Sequence, residues 1–182
     1  MAASGKLAGF YPRARTAAGH DGLWYWTTAR ADAKAKELWL TWVLYGEADL
    51  LLRPANFATS TNLDRLRAEQ TAAAPPELIN GLGPELPLVI KAGTTQGAPA
   101  EYHFTSIAAE GSEDGRELKL VVHLSAPYLA DPVAGKARNL AAISALLDAH
   151  KDLRQDFDSV WVFTDSPGHD PLLSQLQLSA IP

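Results

Sequence analysis

Asp165, His169 and Asp170 fall within six residues of one another, directly after the apolar run 160–164. Two carboxylates and an imidazole at that spacing suit a divalent cation, or a base held by an orienting acid. A strand sets where its following loop begins, so such loops are well placed to carry function. The same stretch also suits a Pro-Gly turn whose aspartates bond local backbone. His103 and His123 are a second candidate, half of a metal site if two strands set them side by side. Otherwise they are two residues of a solvated strand face. The third candidate is aromatic: Trp24, Trp26, Trp39, Trp42 and Tyr45, with Tyr25 between the first pair. Tyrosine and tryptophan join a large apolar area to a polar tip, which serves a ligand pocket and a packed core equally. His20 with Asp21, and the lone His150, carry less; His150 reads as a structural histidine near a helix end.

Several patterns are missing from the chain. Gly-x-Ser-x-Gly, a phosphate loop and His-Glu-x-x-His do not occur. Gly81-Leu82-Gly83 lacks the third glycine and the following helix that a dinucleotide site needs. With no cysteine, disulfides, thiolate metal sites and thiol catalysis are excluded. A net charge of −5 argues against nucleic acid or an anionic membrane as the main partner. No run reaches the roughly 18 apolar residues of a membrane helix. The opening Met1-Ala2-Ala3-Ser4-Gly5 has no hydrophobic signal core, which places the chain in the cytoplasm. A periplasmic or lipoprotein-anchored protein whose leader has been removed is the alternative.

The elements that must position these residues follow from periodicity. At 182 residues, 47% hydrophobic and 20% charged, the chain suits one soluble domain with a single core. Residues 1–22 read as a flexible N-terminal segment and 23–182 as the domain. Segments 23–28 and 37–45 favour strands, the second apolar on both faces and central to a sheet; the helix formers of 30–36 make a helix the rival for that region. Thr61 or Asn62 caps a helix over 63–73, with Asp64 in its first turn. Residues 88–90 are a short buried strand. Residues 101–109 and 117–125 form a hairpin with Tyr102, Phe104, Leu118, Leu120, Val122 and Leu124 on one face. That pattern predicts a three-residue loop, Glu113-Asp114-Gly115, with Gly115 left-handed and Ser112 opposite Arg116. His103 and His123 then become diagonal neighbours on the other face. The main amphipathic helix spans 136–153, with Leu140, Ile143, Leu146, Leu147, His150 and Leu153 on one side. A buried-type strand at 159–164 and an edge strand at 176–181 complete the pattern. The fold class is α+β, a largely antiparallel sheet with the long helix packed on it.

Three functional readings remain open. The first is a non-catalytic binding domain, taking a small apolar ligand or a protein partner on an aromatic-rich sheet surface. The second is a small metal-assisted hydrolase with its site in the 165–170 loop. The third is an acidic inhibitor or immunity-type partner of a basic protein. No organic cofactor is predicted, and a divalent metal is the one candidate. Trp39 and Tyr45 are expected to turn away from the helix-covered side and border a pocket.

Overall fold

The computed structural model describes residues 16–53, 60–93, 100–112 and 114–181. Two short strands, β1 (Thr16–Ala17) and β2 (His20–Asp21), pair antiparallel within the stretch expected to be irregular. Ala18 and Gly19 form the turn between them, with φ of 46° and 77°, as primed hairpin turns require. Asp21 then caps α1 (Gly22–Ala35) by accepting from the Trp24 amide at 2.8 Å.

The expected strands at 23–28 and 37–45 are helices. The first lies in α1 and the second in α2 (Leu38–Leu52). A run that is apolar on every side suits a fully surrounded helix as well as a central strand. Here Trp39, Leu40, Val43, Leu44, Tyr45 and Ala48 are all buried. Gly46, just past the end of the expected strand, lies inside the helix. Glu37 makes no side-chain cap at the start of α2. Asp152 supplies it instead, accepting from the amides of Trp39 at 2.8 Å and Leu40 at 3.1 Å. The start of α1 lies against the end of α2, where a Cβ on Gly22 would come within 2.6 Å of Leu52 Cγ. The next helix, α3 (Thr61–Ala72), is capped by Ser60 rather than Thr61 or Asn62, and buries Leu63 and Leu66.

A five-stranded sheet follows, ordered β3-β4-β5-β6-β7: β3 (Leu88–Ala92), β4 (Ala100–Gly111), β5 (Leu118–Ser125), β6 (Ser159–Asp165) and β7 (Leu172–Gln177). All neighbours are antiparallel except β5 and β6, which are parallel. Between those two the chain crosses over through α4 (Pro132–Ala149). The helix begins four residues before the expected 136, because Pro132 starts it and Asp131 accepts from the Val133 amide. It ends at Ala149, and Leu153 is buried from a separate 3₁₀ turn, Lys151–Arg154. The edge strand β7 lies upstream of its expected 176–181 position. The fold is therefore α+β with a mostly antiparallel sheet. Among the described residues no helix is long and apolar enough to cross a membrane.

Side chains alternate across β5 and β6, and the helices cover one face. Leu120, Val122, Leu124, Val160 and Val162 share one core with Ile143, Leu146 and Leu147 of α4 and with the buried residues of α2. Asn139 of α4 is buried in that layer. Its amide donates to Ser174 Oγ at 3.0 Å, and its carbonyl accepts from Thr164 Oγ1 at 2.6 Å. A buried amide thus fixes how α4 sits over β6 and β7.

The hairpin register is as expected only at its far end, where His103 faces Ser125 and Phe104 faces Leu124. A bulge at Thr105 then shifts the pairing by one, so Ser106 faces His123 and Gly111 faces Leu118. The shift has a physical reason in β4 itself. Its apolar residues change parity, from Phe104 to Ile107 and Ala109, and the bulge turns all three inward. Ser112 therefore bonds Glu117 rather than facing Arg116; Gly115 is left-handed at φ 70°, and residue 113 of the expected loop lies outside the described residues.

Candidate functional site

The carboxyl ends of β5 and β6 gather residues from two of the candidates. In the register, His103, Ser125 and Asp165 form one row across β4, β5 and β6, and Ser106, His123, Phe163 and Leu173 form the next. These rows lie on the face away from the helices. His123 Nδ1 is 2.8 Å from Asp165 Oδ2, with side chains 38% and 43% exposed. The His123 ring stacks on Phe163, centroids 5.1 Å apart and planes within 13°. Both contacts follow from parallel pairing: Phe163 is the direct partner of His123, and Asp165 lies two residues further along the same face. With Nδ1 engaged by the carboxylate, Nε2 is the imidazole nitrogen left for an incoming group.

Further down the same face, Trp161 is half-buried, and Lys119 Nζ lies 3.9 Å over its ring. These large side chains cover the middle of β5, which is why Lys119 and Val121 are buried on a face that no helix of the core layer covers. At the carboxyl end, the loops after β5 and β6 meet. Tyr128 stacks on His169 with centroids 3.8 Å apart, and Ser166 Oγ donates to the Ala126 carbonyl at 2.7 Å. Arg138 of α4 donates from Nη1 to the Pro127 carbonyl at 2.6 Å; its Nε is buried with no partner among the described residues. Burial with no compensating charge lowers the Arg138 pKa.

The expected groupings are thus redistributed. Asp165 joins His123, His169 joins Tyr128, and Asp170 is exposed. Among the described residues no three histidine or acidic side chains gather as a metal set. His103 and His123 share a face as expected, but His103 approaches Glu101 at 4.0 Å and His123 takes Asp165.

The aromatic residues of α1 and α2 do not make one surface. Trp24 is exposed and stacks on His20 at 3.8 Å. Trp26 and Tyr45 are buried and turn their polar tips to Glu69, at 2.8 and 3.4 Å. Trp39 is buried against His150, with the half-buried Trp42 edge-on beside it. Helical spacing spreads these rings around two cylinders, where a hairpin would have put them on two faces. Trp39 does edge a cleft of about 590 Å³, along with His150, Pro76 and Glu77. Burial holds the His150 pKa below its usual value, and its Nε2 has no partner among the described residues.

Sequence reasoning missed Phe163, Trp161, Tyr128 and Arg138. The first two had a signal, since Trp161, Phe163 and Asp165 alternate with Val160, Val162 and Thr164. A strand taken as buried on both faces hides that alternation. Compared with protein-family models, curated proteins and solved structures, the chain matches none.

Proposed function

We propose that the protein is a binding domain whose open sheet face, around His123, Phe163 and Trp161, takes a small apolar ligand bearing one hydrogen-bonding group. The observation that carries this reading is the aromatic row beside an anchored imidazole, His123 on Phe163 with Asp165 at 2.8 Å. An aromatic ring supplies contact area, and the oriented imidazole supplies the single polar contact that fixes a ligand. The site lies where the chain crosses over between parallel strands, a region from which loops of both strands can be reached.

The test uses the full chain and a panel of small aromatic acids and amides, benzoate and benzamide first. Binding is expected to move the Trp161 indole and His123 imidazole resonances. Phe163→Ala and His123→Ala should each weaken it by about tenfold or more, about 1.4 kcal/mol. Resonance shifts confined to α1 and α2, or affinity unchanged in both variants, would sink this reading.

One observation favours a second reading, acid–base catalysis. Asp165 on Nδ1 orients His123 as a base at Nε2, and Ser106 faces His123 across the β4–β5 pair. On this reading, ester hydrolysis by the wild type is abolished in His123→Ala and Ser106→Ala alike. Wild-type hydrolysis no faster than buffer would remove it.

A further inference from the structure

At the opposite end of β4 a carboxyl group is buried without a cation. Glu47 of α2 is 2% exposed, and its Oε2 has no hydrogen-bond partner among the described residues. The Gly111 amide donates to the carboxyl group. Gly111 permits this packing, since a Cβ there would come within 2.6 Å of Ala17 Cβ and push β1 away. Glu47 lines a pocket of about 410 Å³ together with Glu110, Leu50, Leu51, Ala17 and Arg53.

The charges around this pocket are unbalanced. Arg53 is drawn off by Asp49, which also holds Arg67. Among the described residues neither Glu47 nor Glu110 has a cationic partner. From α1, the Tyr25 hydroxyl donates to the Ala17 carbonyl and offers Glu47 nothing. Burial first and the Glu110 charge second raise the Glu47 pKa to about 7. An unpaired buried carboxylate is costly, and a bound cation is the group that would relieve it.

We propose that this pocket binds a primary alkylammonium ion, its charge between Glu47 and Glu110 and its chain against Leu50, Leu51 and Ala17. The donor set disfavours a hard metal ion, which takes six or more oxygen ligands. The lining offers two carboxylates and the Thr16 hydroxyl, and the Ser112 hydroxyl is already engaged by the Arg116 and Glu117 amides. The apolar wall suits an alkyl chain and has no use for a hydrated metal.

The experiment titrates the full chain with n-butylammonium by calorimetry at pH 8 and pH 6, with n-butanol as the neutral control. Saturable binding is expected at pH 8, about tenfold weaker at pH 6 as Glu47 takes up its proton. Glu47→Gln should lose at least tenfold in affinity, and the pH dependence with it. Glu110→Gln, on an exposed residue, should also weaken binding, and it leaves Glu47 easier to ionise, so the pH dependence moves to lower pH. The inference is overturned if n-butylammonium does not bind at pH 8, if both variants bind like the wild type, if n-butanol binds equally, or if calcium chloride is the ligand that Glu47 selects.

Discussion

Trp39→Ala is expected to lower the unfolding free energy by about 3–5 kcal/mol, as removal of a large buried aromatic does. Trp39 is 4% exposed and lies in the shared core. Its ring meets His150 with centroids 4.4 Å apart and Trp42 at 6.3 Å. Neighbours on α2, α4 and the turn after α4 cannot all collapse into the space, so a cavity term adds to the lost burial. Urea denaturation checks this through the midpoint at unchanged slope. A loss under about 1 kcal/mol would mean that the ring is a surface group, and would return Trp39 to the ligand-binding role its sequence position suggests.

Glu69→Ala should cost about 2–3 kcal/mol, since one carboxylate ties three helices together. From α1, Trp26 Nε1 donates at 2.8 Å, and Arg30 donates from Nε and Nη2, both at 2.7 Å. From α2 comes the Tyr45 hydroxyl at 3.4 Å, and from α3 itself Arg65 Nε at 3.0 Å. The Arg30 hydrogen bonds lead in holding the Glu69 pKa down at about 2, against an ordinary 4.5. A depressed carboxyl stabilises the fold fully above its unfolded pKa and loses that contribution as pH falls through the folded one. The gap between wild type and Glu69→Ala should therefore be full near neutral pH, narrow below about 4.5, and close towards pH 2. Parallel acid-denaturation curves that keep a constant gap down to pH 2 would show that the ion pairs are not its source.

Local rules were enough for several elements. Pro75-Pro76 and the leucines Leu63 and Leu66 mark α3, although its cap is Ser60 and not the expected Thr61 or Asn62, and the alternation of Leu118, Leu120, Val122 and Leu124 marks β5 and its inner face. The Ile143, Leu146 and Leu147 spacing marks the buried side of α4. Each signal is made and satisfied within one segment, so composition and spacing carry it. The site was legible only in pieces. Asp165 and His123 each stood out, but in separate groupings, because their contact crosses from β6 to β5 through a parallel pairing joined by a whole helix. No spacing rule relates two residues 42 positions apart.

By itself, then, the sequence determined an α+β fold, the positions of β3 to β6, the helices α3 and α4, and the absence of thiol chemistry. Tertiary structure alone decided three further things. It made 38–52 a helix, because the cap for that helix comes from Asp152, 113 positions along the chain from Trp39. It placed the bulge at Thr105, because only the core built by the helices and β5 requires Phe104 and Ile107 to face the same side. And it left Glu47 without a cation, because Arg53, six residues further on, pairs with Asp49, as does Arg67 from α3.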